Sequence, residues 1–367
     1  MASARGTKVA EAFSQRLLKH LYEFAPIDAI VNRDYEGEIN AVGSKLNILN
    51  LAKISEKTYT GANLTADDLT EVNTQLTIDQ YKSFYWKEKT IDNFVSYVKN
   101  PHGTVVEQTA NERKKNIMTF LLGFYSKAAA GQWYGTDYTT GTVTITNTTG
   151  AVVGSGTTFT SAMVGKPFKA TGHSKWYRVK TFTDTTHITI ENDSDDETSA
   201  YDGGDISGAA YTIQANTVLQ IDNGGSNPSF LTMVLKLKQY LDEAEVPDED
   251  RYLFVPPAAE PTMLKDAGIK LSVPAAYEEL VKQGLITELA GFKIFKSNRV
   301  AGDNTNGFHI VAGHKSFLTY ADKALEVGME EDLIGNFGSA YKDLFVYGAK
   351  VADVRRKFGT HAFVKFG

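Results

Sequence analysis

The stretches KLNILNLAKISEKTY (residues 45–59) and VNTQLTIDQYKSFYW (residues 72–86) decide the fold of this chain, because each has the composition of a long β-strand. The second stretch alternates apolar with polar side chains and places Leu76 and Ile78 on one face. The intervening TGAN (residues 60–63) supplies the turn. The sequence therefore predicts a two-stranded ribbon with one apolar face.

This ribbon needs a cover for its apolar face. At about 3.3 Å per residue each arm would extend roughly 45 to 50 Å, and an isolated hairpin is marginal in water. Because the chain offers no second run of strands of that length, we expect a neighbouring copy of the chain to provide the cover. We expect the same for an N-terminal helix whose apolar stripe ends before Pro26. The residues expected at this subunit interface are Phe13, Leu17, Leu21, Leu46, Ile48, Tyr59, Leu76 and Ile78.

The composition is that of an ordinary globular protein. With 367 residues, 42% of them hydrophobic and 22% charged, the chain is long enough for two or three domains with a real core. It has no cysteine, which excludes disulfides, thiolate metal sites and a cysteine nucleophile. The sequence shows no signal peptide or membrane-spanning stretch, so we expect a protein made and used in a cytoplasm. A net charge of −6 argues against a surface that binds nucleic acid as a whole.

A long helix is predicted after the ribbon. Thr104 and Glu107 have the spacing of a capping box, and apolar residues then recur every three or four positions until Gly131. A helix of that length would extend roughly 40 Å. Its polar side carries a basic cluster at residues 113–115.

The composition changes abruptly between residues 141 and 213. Threonine, glycine, serine and aspartate dominate this region, and its short alternating runs predict strands. We therefore expect a small all-β module inserted in an α+β chain, with its ends at Tyr138 and Ala215 close together.

Helices and strands alternate after this module. Asn227 and Pro228 predict the start of one helix, and Pro274 predicts the start of another that Gly284 ends. A hairpin turn is predicted at residues 290–291. The predicted strands are residues 252–255, 308–312 (running into a helix near His314), 344–354 and 360–366.

Five phrases of the sequence resemble those of one protein family. They are LTIDQYKSF (76–84), RYLFVPP (251–257), GLI with LAGF (284–286 and 289–292), FHIVAGH (308–314) and YGAKV (347–351). In this order, and over nearly its whole length, the chain resembles the tailed-bacteriophage major capsid (coat) proteins, which have the Hong Kong 97-like fold. The phrases GSGTTFT and MVGK (154–160 and 163–166) resemble a small β module of phage structural proteins.

The resemblance implies an α+β fold, the phage major capsid fold, with an added β insertion. Its predicted parts are an N-terminal arm (1–40), an extended β-hairpin loop with flanking peripheral strands (41–93), a long spine helix of the peripheral domain (94–137), the inserted all-β domain (138–214), the apical domain (215–322) and a return to the peripheral domain (323–367).

The resemblance also implies a structural function, without catalytic residues, cofactors or metals. The chain would form hexamers and pentamers of an icosahedral shell around double-stranded DNA, in a virion assembled in the host bacterial cytoplasm. Its partners would be copies of itself, scaffolding and decoration proteins and the portal, without a membrane. Arg113, Lys114 and Lys115 would face DNA phosphates if the spine helix lies near the inner wall. The alternative for these three residues is a solvated helix face or intersubunit ion pairs.

The standard motifs of an enzyme are missing from the sequence. It has no phosphate-binding loop, dinucleotide fingerprint or paired zinc-ligating histidines. His314 is expected to hydrogen-bond the backbone rather than to act as a base. The acidic residues between Asp193 and Asp205 have partial calcium-ligand spacing, but a solvated loop is the preferred interpretation.

A second interpretation makes the chain a phage decoration protein or adhesin. In that case the β module would bind host-surface glycans, with Trp176, Tyr177 and Tyr201 stacking on the sugars. Particle formation after expression distinguishes this interpretation from that of a coat subunit.

Overall fold

The structure, a computed structural model, describes residues 26–33, 45–51, 56, 71–89, 101–194, 200–222, 226–266, 288–330 and 338–367. Its contacts divide the chain into two compact units. The first is built mainly on Asn32–Glu112 and Thr319–Lys350, and the second on Arg113–Leu318 and Val351–Gly367. The finer six-part division stays a prediction.

The described residues form a mixed α+β fold. The α-helices are α1 (Ile27–Ile30), α2 (Pro101–Leu122), α3 (Phe230–Glu243) and α4 (Ala259–Lys265). The strands are β1 (Val31–Asn32), β2 (Lys45–Leu51), β3 (Glu71–Thr77), β4 (Gln80–Lys89), β5 (Trp133–Tyr134), β6 (Thr136–Tyr138), β7 (Thr142–Thr146), β8 (Ala151–Ser155), β9 (Pro167–Ala170), β10 (Tyr177–Asp184), β11 (His187–Asn192), β12 (Ile206–Ala209), β13 (Tyr211–Thr217), β14 (Leu219–Ile221), β15 (Arg251–Val255), β16 (Glu288–Leu289), β17 (Phe292–Lys296), β18 (Ala301–Asp303), β19 (Gly307–His314), β20 (Leu318–Glu330), β21 (Gly338–Lys350) and β22 (Gly359–Phe366). None of these helices is long and apolar enough to cross a membrane.

The first unit contains a four-stranded sheet and a two-stranded ribbon. The sheet has the order β1-β20-β21-β4, in which β20 and β21 form a long antiparallel hairpin. The ribbon consists of β2 and β3, paired from Lys45 opposite Thr77 to Leu51 opposite Glu71. In the described part of the chain, no further strand pairs with either edge of this ribbon.

The predicted second arm of the ribbon is divided in the structure. It breaks after Thr77, and β4 leaves the ribbon to pair along its whole length with β21. The prediction that Phe84 and Trp86 belong to the ribbon is therefore wrong, because β21 offers them a main-chain partner within the same chain. The described ribbon is 7 residues long in each strand, about 23 Å.

Helix α2 differs from its prediction at both ends. It begins at Pro101, so Thr104 and Glu107 lie inside the helix rather than forming a capping box at its start. Proline suits the first turn of a helix because the N–H groups of that turn have no acceptor within the helix, so the N–H that proline lacks is not missed. At Leu122 the helix gives way to a 3-10 helix at Gly123–Lys127, well before Gly131.

In the second unit, strands β6 to β13 form the predicted all-β module. Their order is β12-β7-β8-β11-β10-β9-β13-β6. Strands β12 and β13 are separated by Ala210 alone, although they stand far apart in this order. The sheet must therefore curve so that β12 and β13 come close together, and its strands enclose one core. The core includes Val143, Ile145, Val152, Phe159, Phe168, Tyr177, Val179, Ile188, Ile190, Tyr211 and Ile213.

A second sheet of this unit has the order β14-β22-β19-β15-β17-β16, with β5 added to β22 and β18 to β19. The hairpin of β16 and β17 turns at Ala290 and Gly291, which both have positive φ, as predicted. Helix α3 begins after Ser229, whose side chain accepts from the Thr232 N–H, so the predicted start at Asn227 is wrong. The helix predicted from Pro274 lies outside the described residues.

Candidate assembly surface

The base of the ribbon is anchored in the core of the first unit. Leu76 is 1% exposed and Ile78 is 0% exposed. They pack with residues of β20 and β21 in a cluster that contains Ala321, Leu325, Leu344 and Val346. The expectation that Leu76 and Ile78 contact a neighbouring subunit is therefore wrong. Their apolar surface is already buried by the chain's own hairpin.

The other predicted interface residues are not tested by these contacts. Leu46 and Ile48 lie on β2, opposite Leu76 and Thr74, but their side chains are outside the described part of the structure. The remaining four, Phe13, Leu17, Leu21 and Tyr59, are also outside the described residues.

Gly348 allows the base of the ribbon to lie close to the sheet. A Cβ atom at this position would overlap the carbonyl oxygen of Thr77 and would lie 3.1 Å from the Cα of Ile78. Both obstacles are backbone atoms, which cannot move aside as a flexible side chain would. Strand β21 can thus receive the β3–β4 connection because residue 348 has no side chain.

Gly348→Ala is expected to lower the free energy of unfolding of the unassembled chain by about 1–3 kcal/mol, because it forces two backbones apart. Urea denaturation measures this loss. Gly123→Ala is the control, since a Cβ atom at Gly123 meets nothing within 4 Å. Equal stability of the two variants would contradict the role given to Gly348.

Strand β4 presents two exposed tyrosines. Tyr81 is 46% exposed and Tyr85 is 60% exposed. Tyr85 lines a shallow groove together with Glu326, Lys342 and Leu344. On the opposite face of β4, Trp86 stacks on Tyr341 at 5.3 Å. Exposed aromatic side chains of this kind are enriched at protein interfaces.

Sequence reasoning did not identify Tyr85 as an interface candidate. The period of two would have placed it on the face opposite Phe84 and Trp86. Nothing local to the sequence indicates that this face of β4 remains exposed.

The basic cluster on helix α2 is only partly exposed. Arg113 is 2% exposed, because it follows Ala110 by three positions and precedes Ile117 by four, on the buried stripe of the helix. The expectation that Arg113 faces DNA is therefore wrong. Lys114 is partly buried, which lowers its pKa, and Lys115 is exposed.

The basic residues 355–357 and the acidic loop that begins at Asp193 are joined by ion pairs. Arg356 is buried, and its Nη2 lies 2.6 Å from Oδ1 of Asp193. The same oxygen lies 2.5 Å from Nε of Arg178. Asp202 binds Lys175 at 2.7 Å. The carboxylates of Asp193 and Asp202 therefore pair with arginine and lysine side chains. The described residues contain no cluster that could hold a metal ion.

The aromatic residues considered for glycan binding lie mostly in the core of the module. Tyr177 is 1% exposed and Tyr201 is 4% exposed, so neither can stack on a sugar. Trp176 is half-buried beneath the Lys169 ammonium. This interpretation therefore loses two of its three residues.

His314 has the structural role expected from the sequence. Its Nδ1 accepts a hydrogen bond from the Ser316 N–H at 3.1 Å. Burial lowers its pKa. The predicted helix after it is a 3-10 helix at Lys315–Phe317, because β20 begins at once.

Comparison with known proteins identifies the fold. No family model matches the sequence, and no curated protein matches it. A solved chain of Mycobacterium phage Che8 superposes with a TM-score of 0.53 at 18% identity, covering 90% of this chain and 88% of that chain. A chain of the capsid structure of cyanophage P-SCSP1u gives 0.52 at 11% identity, covering 93% and 88%. The chain therefore has the tailed-phage major capsid fold that its sequence predicts.

Proposed function

We propose that this chain is a coat subunit that assembles as hexamers and pentamers into an icosahedral shell enclosing double-stranded DNA. The observation that carries the proposal is the fold likeness to a chain of a phage capsid structure, which extends over about nine-tenths of both chains. A likeness confined to one domain would fit many functions, but this one covers 93% of the chain.

The ribbon and strand β4 are the proposed assembly surfaces. In the described part of the chain, β2 and β3 pair only with each other, so their outer edges carry main-chain groups that a strand of another subunit can bind. Tyr81 and Tyr85 add exposed aromatic area. Obligate interfaces often bury more than about 2,000 Å², and repetition around a shell strengthens each weak contact.

The remaining parts of the proposal concern partners and location. Lys115, and Lys114 in part, would bind phosphates of the packaged DNA without reading its sequence. Scaffolding, decoration and portal proteins are the proposed partners besides copies of the chain. The proposed location is the virion, after assembly in the bacterial cytoplasm.

Expression of the full chain, with and without a scaffolding protein, tests the proposal. Negative-stain microscopy and analytical ultracentrifugation should show shells, rings or sheets of subunits. A chain that stays monomeric or trimeric under both conditions, and that binds a glycan array, would instead support the adhesin interpretation.

A further inference from the structure

Two histidines form a hydrogen-bonded pair inside the second unit. Nδ1 of His309, on β19, lies 3.0 Å from Nε2 of His361, on the neighbouring strand β22. His309 is stacked between Tyr125 at 4.3 Å and Phe363 at 4.4 Å. Trp133 and His361 pack edge to face, with ring centroids 4.4 Å apart. These rings come from four different segments of the chain.

The hydrogen bond restricts how many protons the pair can carry. One imidazole must donate and the other must accept, so two neutral rings or one charged ring can maintain it. Full protonation of both rings would place two N–H donors against each other. His361 is 1% exposed, and its Nδ1 has no hydrogen-bond partner among the described residues. A proton added there would be a buried, unsatisfied charge.

The charged groups that act on the pair are cations of the β module. Lys166 donates to the carbonyl oxygens of Ala215 and Asn216 at 3.2 and 2.7 Å, and its ammonium lies 5.4 Å from the Phe363 ring. The Arg178 guanidinium lies over Trp133 at 5.7 Å. Tyr125 is the other titratable group in contact with the rings, and burial raises its pKa.

Burial and these cations favour the neutral rings. The pKa of His309 is lowered to about 4, mainly by burial and to a smaller extent by the positive charge of Lys166. Burial, His309, Lys166 and Arg178 lower the pKa of His361 well below its usual value. An unfolded histidine has a pKa of about 6.5, so between about pH 6.5 and 4 the folded chain binds fewer protons than the unfolded chain. Stability must then fall as the pH falls through this window.

We propose that the His309–His361 pair is an acid-sensitive switch: while neutral, it holds the 3-10 helix Gly123–Lys127, strand β5 and the cations of the β module against β19 and β22. When the rings separate, each can bind a proton near the ordinary histidine pKa of about 6.5, so acid between about pH 6.5 and 4 favours the separated state. In that state the hydrogen bond is lost, charge is added beside Lys166 and Arg178, and the segments stacked on the rings loosen. The switch lies within one unit of a single chain, so it does not depend on assembly.

Trp133 is the natural reporter of this switch. In a Trp86→Phe/Trp176→Phe background it is the only tryptophan of the chain, which has 3. Its fluorescence should change in one transition when the unassembled chain is titrated from about pH 8 to about pH 4. The thermal midpoint should fall by about 5 °C or more across the acid window.

His309→Phe is the decisive variant, because it keeps a flat ring between Tyr125 and Phe363 but cannot take a proton. It should lose the transition or reduce the fall of the thermal midpoint by at least half. His187→Gln is the control, since His187 is exposed beside Asp184 and does not contact the pair. A transition of the same size and midpoint in His309→Phe would overturn the proposal.

Histidine-selective NMR provides a second readout if His309→Phe does not fold. With ¹³C-labelled histidine in the wild-type chain, the imidazoles of His309 and His361 should titrate well below the unfolded value of about pH 6.5. Titration of these two imidazoles near about pH 6.5 would equally overturn the proposal.

Discussion

Asp193→Ala is expected to lower the free energy of unfolding of the unassembled chain by about 3–5 kcal/mol, because it removes the carboxylate that two largely buried guanidinium groups share. The side chains of Arg178, Asp193 and Arg356 are 15%, 10% and 5% exposed. One carboxylate oxygen binds both arginines, and the other accepts from the Ala130 N–H at 3.2 Å.

The predicted loss is large because this carboxylate joins three segments of the second unit. Arg178 also donates to the carbonyl oxygen of Ser126, and Arg356 donates to those of Lys127 and Asp193. The β module, the end of the 3-10 helix and the C-terminal 3-10 helix Asp353–Phe358 therefore meet around one charge. Without that charge, both arginines stay desolvated but lose their strongest hydrogen bonds.

Urea denaturation of the purified chain measures this effect. Lys293→Ala is the control, because the ion pair of Lys293 with Asp250 is exposed, at 56% and 54%. An exposed pair of this kind contributes at most about 1 kcal/mol. A loss below about 1 kcal/mol for Asp193→Ala would show that the two arginines find other partners.

Local patterns of the sequence predicted much of the fold. The alternation of Leu76 and Ile78 with polar neighbours, the turn at Ala290 and Gly291, and the strands of the module between residues 141 and 213 are all found where expected. Each is fixed by contacts or dihedral angles within a few residues. Such features can be read from a single sequence, because periodicity and turn chemistry are local.

Pairing between distant segments could not be predicted in this way. Strand β4 binds β21, more than two hundred residues later, and no local pattern specifies that partner. The acidic residues that begin at Asp193 were recognised from the sequence, but the ion pairs of Asp193 with Arg178 and Arg356 were not. Burial of Arg113 was predictable in part, because its spacing from Ala110 and Ile117 fits the apolar stripe.

Ile78→Ala is expected to lower the free energy of unfolding of the first unit by about 2–5 kcal/mol, whether or not the chain is assembled. Ile78 is 0% exposed and packs against Ala321 and Val346, so its removal leaves a cavity in the chain's own core. An interface residue would behave differently: its substitution would weaken particles and leave the isolated subunit unchanged.

Urea denaturation of the unassembled chain therefore distinguishes a role of Ile78 in the core of the subunit from a role in contacts between subunits. Thr77→Ala is the control, since Thr77 is the exposed neighbour on the opposite face of the ribbon. If Ile78→Ala and Thr77→Ala were equally stable, and only assembly of the former failed, Ile78 would be a contact between subunits after all. If Ile78→Ala is unstable as a monomer, the ribbon is held at its base by its own chain. Assembly would then depend on the edges of β2 and β3 and on the exposed tyrosines of β4, rather than on the buried face of β3.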